Sequence, residues 1–263
     1  MISETILDSK KIVIKIGSNT LSNDEGVLNK RFFNNFTKQV KVLTDQGKQV
    51  IIVSSGARIA GVSTLGKWKR KEDLHYKQAL CAIGQVELME SFRRAFKEEN
   101  IIIGQILVTK DDLSDPNRIL YIRNTLFTLI DESVIPIINE NDSVSVDEIK
   151  IGDNDNLAAM IANLWNADLL LLLSDIDGVY DKNPHDYSDA VLQEKILDLN
   201  KLKRDISFGN SSNFGTGGIK TKIEAAEKVT LYGIPMILAC GKIENMITGL
   251  IDKTEKGSLF LPS

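Results

Sequence analysis

The sequence has only two cysteines, Cys81 and Cys240, and neither belongs to a CxxC motif. Two isolated cysteines signal neither a disulfide framework nor a zinc site. Both stand among apolar residues, where a cysteine usually packs as a small hydrophobic side chain. We therefore expect both to be core residues.

The chain also lacks an excess of positive charge. Its 36 Asp and Glu outnumber its 32 Lys and Arg, and the formal net charge is −4. Affinity for nucleic-acid phosphates comes from clustered Lys and Arg. The short basic run at residues 67–71 favours a solvated loop over a nucleic-acid-binding patch. We therefore expect no nucleic-acid partner.

Long hydrophobic runs are missing as well. No apolar stretch approaches the roughly 20 residues that span a bilayer, and residues 1–11 lack the apolar core of a signal peptide. These absences predict no membrane association and a cytoplasmic location. The composition, 43% hydrophobic and 26% charged over 263 residues, is that of a globular protein with a sizeable core. Without a repeat or flexible linker, it favours one domain with two lobes.

Short apolar segments alternate with amphipathic ones along the sequence. The alternation predicts a largely parallel sheet with helices on both faces. Residues 143–151 are an exception and predict a small hairpin at the rim. The predicted strands are residues 11–16, 49–53, 101–108, 134–138, 169–173, 235–239 and 258–261. The predicted helices cover residues 32–43, about 77–99, 122–130, 157–164 and a segment beginning near Ile219.

Residues 139–156 are dense in short carboxylates and amides. They follow the predicted strand 134–138 and lead into a helix, and open α/β folds bind ligands where strands end. Either Asp153 or Asn154 could equally be a helix cap. Residues 139–142 and 152–156, however, hold more such side chains than one cap requires. The segment therefore favours a site for a small polar zwitterion.

A glycine-rich loop at residues 215–218 leads into the helix that begins near Ile219. Glycines expose backbone N–H groups, and a helix N-terminus adds positive partial charge, so the loop could hold a polyphosphate. Lys220 and Lys222 lie close by in the sequence. The spacing fits neither a Walker A loop nor a dinucleotide-binding fingerprint. A surface turn without a ligand is the alternative.

Lys15 is unusual because it interrupts the apolar strand 11–16. Such a lysine either reaches solvent at a sheet edge or points into a site at the end of the strand. Lys15 and Lys222 could meet between the two lobes, as phosphoryl transfer to an anionic acceptor requires. A carboxylate acceptor is already nucleophilic, so no general base is needed. Fixed positive charge and a metal ion would relieve its repulsion from ATP.

Six motifs give the sequence a resemblance to the amino-acid kinase family from about residue 11 to residue 260. The match is closest to the glutamate-phosphorylating branch, of which Asn-Glu-Asn-Asp and the glycine-rich loop are typical. Asp-Gly-Val-Tyr is shared more widely, including with aspartokinases and uridylate kinases. The motifs are Lys-Ile-Gly-Ser-Asn, Ser-Ser-Gly-Ala, Asn-Glu-Asn-Asp, Gly-Asp-Asn-Asp-Asn, Leu-Leu-Ser-Asp-Ile-Asp-Gly-Val-Tyr and Gly-Thr-Gly-Gly-Ile-Lys-Thr-Lys.

The resemblance implies a three-layer αβα sandwich around a mostly parallel sheet of about eight strands. It implies one kinase domain over residues 1–263, with an amino-acid-binding lobe (1–165) and a nucleotide-binding lobe (166–263). An additional C-terminal RNA-binding-like (PUA) domain, common in the family, is expected to be absent because the sequence stops at Ser263.

The implied reaction is ATP-dependent phosphorylation of the side-chain carboxylate of L-glutamate to L-glutamyl 5-phosphate, with Mg²⁺, the first step of proline biosynthesis. Proline is then expected as a feedback inhibitor, and a homo-oligomer, dimer or tetramer, as the assembly.

The same resemblance assigns roles to individual residues. Lys15 and Lys222 would stabilise the transferring phosphoryl group, and Asp155 would hold both lysines in place. No residue is assigned as a metal ligand. The residues expected to bind glutamate are Ser55, Asp142 and Asn154, with Asn139 and Asp153 as further candidates. Those expected to bind the nucleotide are Lys15, Ser174, Asp175, Thr216, Gly217, Gly218, Ile219, Lys220, Thr221 and Lys222, with Ile219-Lys220 replacing the more common Met-Ser.

Two other functions fit the same fold. One is a kinase whose acceptor is aspartate or a nucleoside monophosphate, against which the cluster at residues 139–142 argues. The other is a non-catalytic regulator that binds a ligand. Retention of both Lys15 and Lys222 argues against a regulator.

Overall fold

The computed structural model describes residues 1–23, 25–66, 73–145, 154–184, 186–208 and 218–262, with side chains 205–208 left out. Eight strands and ten helices lie within these residues. The strands are β1 (Lys11–Ile16), β2 (Gln49–Ser54), β3 (Ile103–Val108), β4 (Ile135–Glu140), β5 (Leu169–Ser174), β6 (Lys195–Ile196), β7 (Met236–Cys240) and β8 (Ser258–Phe260). The helices are α1 (Ile2–Asp8), α2 (Ser18–Leu21), α3 (Lys30–Asp45), α4 (Ala57–Leu65), α5 (Leu74–Glu98), α6 (Pro116–Asp131), α7 (Asp155–Trp165), α8 (Leu199–Phe208), α9 (Gly218–Thr230) and α10 (Met246–Asp252).

All eight strands belong to one sheet, in the order β3-β4-β2-β1-β5-β7-β8-β6. Every neighbouring pair is parallel except β7 with β8. The predicted α/β fold with a mostly parallel sheet of about eight strands is therefore confirmed. The short strand β6 and helices α1, α2, α4, α8 and α10 were not expected from the sequence pattern.

Alternation along each strand divides the core into two layers. In β1, Ile12, Ile14 and Ile16 pack with helices α1, α3, α5 and α10 on one face of the sheet. Val13 lies on the opposite face, with helices α6, α7, α8 and α9. Because side chains alternate with a period of two, Lys15 shares the face of Val13 and points toward α7 and α9. The sequence of β1 therefore decides which helices Lys15 can meet.

The order in which strands are added to the sheet changes direction between β1 and β5. These strands are parallel neighbours, yet the strands that follow β1 lie on one side of the pair, whereas β6, β7 and β8, which follow β5, lie on the other. Parallel sheets bind ligands outside the carboxyl ends of the strands at such a switch point. The Gly17 N–H, directly after β1, donates to the Leu173 carbonyl at the end of β5 (3.0 Å). The fold thus places the segments after β1 and β5 beside a natural crevice.

Two sequence predictions fall largely outside the described residues. Of the hairpin expected at residues 143–151, only residues 143–145 are described, and they belong to a turn. The basic run at residues 67–71 lies entirely outside them. Among the helices that are described, none is long and apolar enough to cross a membrane.

Candidate active site

Lys15, Asp155 and Lys222 meet at the carboxyl end of β1. Lys15 Nζ lies 2.5 Å from Asp155 Oδ1, and Lys222 Nζ lies 3.1 Å from Asp155 Oδ2. Their side chains are 5%, 1% and 6% exposed, in chain order. Asp155 is the first residue of α7, where a carboxylate also suits the positive end of the helix. One carboxylate therefore fixes the spacing between two ammonium groups that are 207 residues apart in the chain.

The electrostatics of this triad favour an anionic ligand. The three side chains sum to one positive charge, and buried charges interact more strongly than exposed ones. The Lys222 ammonium also donates to the Gly218 carbonyl (3.1 Å), and the Thr221 hydroxyl lies 3.0 Å from Asp155 Oδ2. These contacts hold the first turn of α9 against the first turn of α7. The triad can therefore present fixed positive charge at the end of β1.

A polar pocket opens next to the triad, over the ends of β1, β2 and β4. Its walls include the start of α4, whose N-terminus has no side-chain cap. Gly56, the N-cap, has φ +98°, and its preceding neighbour Ser55 has a buried hydroxyl with no partner among the described residues. An uncapped helix N-terminus and an unpartnered hydroxyl both suit a carboxylate ligand. The pocket is lined by Ser18, Ser55, Gly56, Ala57, Arg58, Ile59, Cys81, Asn139, Asp142 and Asn154.

Two asparagine side chains form the floor of this pocket. Asn154 Nδ2 donates to the Ser54 carbonyl and to Asn139 Oδ1, both at 2.7 Å. Asn139 Oδ1 also accepts from the Glu140 N–H (2.8 Å), and Asn139 Nδ2 donates to Gln85 Oε1 (2.8 Å). Asn154 stands at the N-cap position of α7, but its side chain makes no capping bond. The helix-cap alternative is therefore wrong for Asn154.

Asp142 is the carboxylate of the pocket, and its surroundings disfavour its charge. Burial and the neighbouring Glu140 raise the pKa of Asp142 to about 6, although contacts with Cys81 and Arg58 oppose the shift. Burial and the same Asp142 carboxylate raise the pKa of the Cys81 thiol to about 12. Cys81 is therefore a neutral thiol beside a carboxylate that can change charge near pH 6 and can pair with a cationic ligand.

Helix α5 reaches the pocket because it crosses α4 at glycines. A Cβ atom added at Gly84 would lie 1.8 Å from the Ala57 carbonyl oxygen and 2.3 Å from the Gly61 nitrogen. The two helices can therefore approach only without side chains at this crossing. The crossing places Cys81 in the pocket wall and Gln85 against Asn139.

A second cleft lies at the end of β5. Asp175 accepts hydrogen bonds from Asn19 Nδ2 (2.8 Å) and from the Ser174 hydroxyl (3.1 Å). Burial raises the pKa of Asp175, but these two bonds and the charge of Lys222 outweigh it, so the pKa lies below the ordinary value. The cleft is lined by Asp175, Ile176, Asp177, Gly178, Val179, Tyr180, Lys182, Asn183, Pro184 and Ile219.

The structure brings most of the expected site residues together at the carboxyl ends of the strands. Lys15, Asp155, Lys222 and Thr221 meet in the triad. Ser55, Asn139, Asp142 and Asn154 line the pocket, and Ser174, Asp175 and Ile219 lie at the second cleft. Gly218 begins α9, and Lys220 is exposed on that helix. Asp153, Thr216 and Gly217 lie outside the described residues.

The polar residues near the site that were missed at the sequence level include Asn19, Arg58, Cys81 and Gln85. Cys81 and Gln85 are four residues apart on α5, so they share one helix face. That spacing could have indicated a shared environment, but not which strand they face. Within the described ranges, no group of three or more His, Cys, Asp or Glu side chains could hold a metal ion.

Comparison with known proteins gives one family and one fold. Residues 10–240 match the model of the amino acid kinase family. A glutamate 5-kinase of Alkaliphilus metalliredigens is 64% identical over 260 residues, covering 99% of this chain and 98% of the relative. A glutamate 5-kinase of Clostridium acetobutylicum is 44% identical over 252 residues, covering 96% and 94%. The crystal structure of UMP kinase from Bacillus anthracis superposes with a TM-score of 0.69 at 16% identity, covering 97% of both chains.

Proposed function

The chain belongs to the amino acid kinase family, and from this premise we propose that it transfers a phosphoryl group from ATP to the side-chain carboxylate of L-glutamate. The product is L-glutamyl 5-phosphate, the first intermediate of proline biosynthesis. Relatives named glutamate 5-kinase align over almost their whole length. The observation that carries the proposal is the buried triad of Lys15, Asp155 and Lys222 beside a pocket built for a small zwitterion.

Phosphoryl transfer follows from the charges of the triad. A glutamate side-chain oxygen attacks the γ-phosphorus, a new O–P bond forms, and the bond from that phosphorus to the β,γ-bridging oxygen breaks, releasing ADP. Lys15 and Lys222 stabilise the negative charge on the transferring group. Asp155 keeps both ammonium groups in position. The carboxylate is already ionised, so the reaction needs no general base.

The pocket suits each end of a glutamate molecule. The uncapped N-terminus of α4 and the Ser55 hydroxyl bind the α-carboxylate. Asp142 and the side-chain oxygen of Asn154 accept hydrogen bonds from the α-ammonium. Asn139 holds Asn154, and Asp153 is a further contact proposed from the motif. The side-chain carboxylate of glutamate then extends toward Lys15.

The nucleotide occupies the other side of the triad. Its phosphates lie along the start of α9, against Gly218, Lys220, Thr221 and Lys222, and Thr216 and Gly217 are further contacts proposed from the motif. Its nucleoside lies in the cleft that Asp175, Tyr180 and Ile219 help to line. Ser174 and Asp175 contact the nucleotide from the end of β5. Mg²⁺ enters with ATP, because Mg²⁺ is held largely by substrate phosphates and water, and it neutralises charge on the phosphates.

The two ligands correspond to two lobes of one domain. Residues 1–165 supply β3-β4-β2-β1 and the amino-acid pocket, and residues 166–263 supply β5-β7-β8-β6 and the nucleotide cleft. Both substrates are cytoplasmic metabolites, so the enzyme acts in the cytoplasm. Free proline, a smaller zwitterion with the same α-carboxylate, competes for the glutamate pocket as a feedback inhibitor.

The assembly is a homo-oligomer, a dimer or tetramer. Within the described residues β3 is an edge strand, and such edges pair readily with another chain. Ile102, just before β3, and Tyr121, on α6, are large apolar side chains that are 67% and 68% exposed. Light scattering of the purified protein and of Tyr121→Glu would measure the assembly; a monomeric wild-type protein would exclude it.

The reaction is tested with purified protein, MgATP and a panel of acceptors: glutamate, aspartate, N-acetylglutamate and UMP. ADP release is followed for all four, and hydroxylamine traps any acyl phosphate as a hydroxamate. We expect ADP release and hydroxamate with glutamate. Turnover confined to aspartate or UMP would establish the alternative function, a kinase with aspartate or a nucleoside monophosphate as acceptor. No turnover with any acceptor would favour the non-catalytic regulator.

A further inference from the structure

Gln85 lies behind the amino-acid pocket and is not part of its wall. It is half-buried on α5, and its Oε1 accepts a hydrogen bond from Asn139 Nδ2 (2.8 Å). Its own Nε2 is buried with no partner among the described residues. A buried donor without a partner is unfavourable. The hydrogen bond that Gln85 makes to the described residues is therefore made by its oxygen, with Asn139 as the donor.

The oxygen of Gln85 acts together with two backbone groups, the Glu140 N–H and the Ser54 carbonyl, to orient the two asparagines. With Asn139 Nδ2 turned toward Gln85, Asn139 Oδ1 faces the Glu140 N–H and Asn154 Nδ2. Asn154 Nδ2 has two hydrogens, and they go to Asn139 Oδ1 and to the Ser54 carbonyl. Both donors of Asn154 are thus directed away from the pocket. What Asn154 has left to offer a ligand is its Oδ1, an acceptor.

Reversing the hydrogen bonds that link Gln85, Asn139 and Asn154 would change what the pocket recognises. If the Asn139 amide turned over, its NH₂ would face two other donors, the Glu140 N–H and Asn154 Nδ2. Asn154 would then have to turn as well, which would place its Oδ1 against the Ser54 carbonyl and present its NH₂ to the ligand. An ammonium group has donors and no acceptor, so a donor in that place repels it. The Glu140 N–H fixes one side of Asn139, and Gln85 fixes the other.

We infer that Gln85 is a positioning residue for recognition of the substrate ammonium. Through the hydrogen bonds that link Gln85 to Asn139 and Asn139 to Asn154, it keeps an acceptor rather than a donor facing the amino-acid pocket. The inference rests on the proposed function, since it takes the ligand to be an amino acid with a free ammonium group. It predicts that the loss of the Gln85 oxygen weakens glutamate binding and leaves phosphoryl transfer unchanged, because the Lys15–Asp155–Lys222 triad is untouched.

The test compares three variants at pH 8, where Asp142 is ionised. Gln85→Met keeps the length of the side chain and removes its acceptor, and Gln85→Glu keeps an acceptor oxygen. Gln78→Met makes the same change two turns earlier on α5, at another half-buried glutamine. We expect Gln85→Met to raise the KM for glutamate about tenfold, with kcat and the KM for MgATP within twofold of wild type. Gln85→Glu and Gln78→Met should stay within threefold for all three constants.

Each other result is decisive. An unchanged glutamate KM in Gln85→Met, an equal defect in Gln85→Glu, or an equal defect in Gln78→Met would overturn the inference. If Gln85→Met does not fold, as judged by circular dichroism, Gln85→Ala removes the same oxygen with a good helix former and takes its place. The wild-type protein is the separate check on the proposed function: if it does not turn over glutamate, that function fails first, before any variant is compared.

Discussion

The triad and the amino-acid pocket both lie at the carboxyl ends of the strands, but their buried carboxylates have opposite kinds of charged neighbour. In the triad, a buried carboxylate has two ammonium groups as partners. In the pocket, Asp142 has Glu140 as a neighbour and only partial compensation from Arg58, so its pKa rises to about 6. The difference teaches that charge in the triad is fixed by pairing, whereas charge in the pocket depends on pH and on the ligand.

This contrast matches the two tasks of the proposed reaction. Charge that develops during phosphoryl transfer is best met by groups that are already ionised and held in place. An amino acid brings its own ammonium, and that cation can complete the charge balance of a pocket whose carboxylate is only partly compensated.

The largest effect is expected from Asp155→Asn, which removes the carboxylate that joins the two lysines. Lys15 and Lys222 would then be buried close together without the carboxylate that balances their charges, and breaking a buried pair typically costs about 3–5 kcal/mol. Urea unfolding at pH 7.5 measures the loss. Asp45→Asn, which disrupts the exposed Lys41–Asp45 pair on α3, is the control and should change stability little. Equal losses in both variants would mean that the triad has no special role in the fold.

Lys222→Ala tests the catalytic side of the triad. Loss of a charge that acts in the transition state costs about 3–4 kcal/mol, or roughly 10²- to 10³-fold in kcat. Steady-state kinetics with glutamate and MgATP measure it, with circular dichroism as the check on folding. Lys228→Ala, on an exposed position of the same helix, is the matched control. Near-normal kcat in Lys222→Ala would show that its role is misassigned.

How much of this could be read from the sequence differs between the two regions. The triad was predictable in outline, because the alternation in β1 places Lys15 on the face that α7 and α9 cover. The pocket was predictable only in part. Asn139 directly follows the predicted strand 134–138, but Gln85 and Cys81 reach the pocket because α5 crosses α4 at Gly84. The approach of two helices depends on packing between segments that are distant in the sequence, so the local sequence pattern does not predict it.

The acidic limb of the pH profile tests the charge of the pocket. Asp142 binds an ammonium only when ionised, so kcat/KM for glutamate should fall about tenfold per pH unit below pH 6. The glutamate side chain, with a pKa near 4.3, stays largely ionised down to pH 5. Asp142→Asn should be slow at every pH and lose this limb. A limb that survives in Asp142→Asn would assign the titration to another group.

The raised pKa of Asp142 affects stability and activity in opposite directions: ionisation of Asp142 favours activity but lowers stability. The pKa of Asp142 is higher in the folded protein than the ordinary value of 3.8, so the folded state binds this proton more tightly than the unfolded chain. Ionisation of Asp142 therefore destabilises the fold as pH rises from about 4 to about 6. Unfolding of Asp142→Asn across this range should lack that contribution.

The smallest effect is expected from Cys81, whose neutral thiol contacts Asp142 and lowers the pKa of that carboxyl. In Cys81→Ala that donor is gone, so the midpoint of the acidic limb should move up by a fraction of a pH unit. Cys81→Ser supplies a stronger donor and should move it down. Cys240→Ala, which removes the other buried thiol, should leave it in place. Opposite shifts for alanine and serine would tie the midpoint to a hydrogen bond, because a packing defect alone gives both variants the same sign.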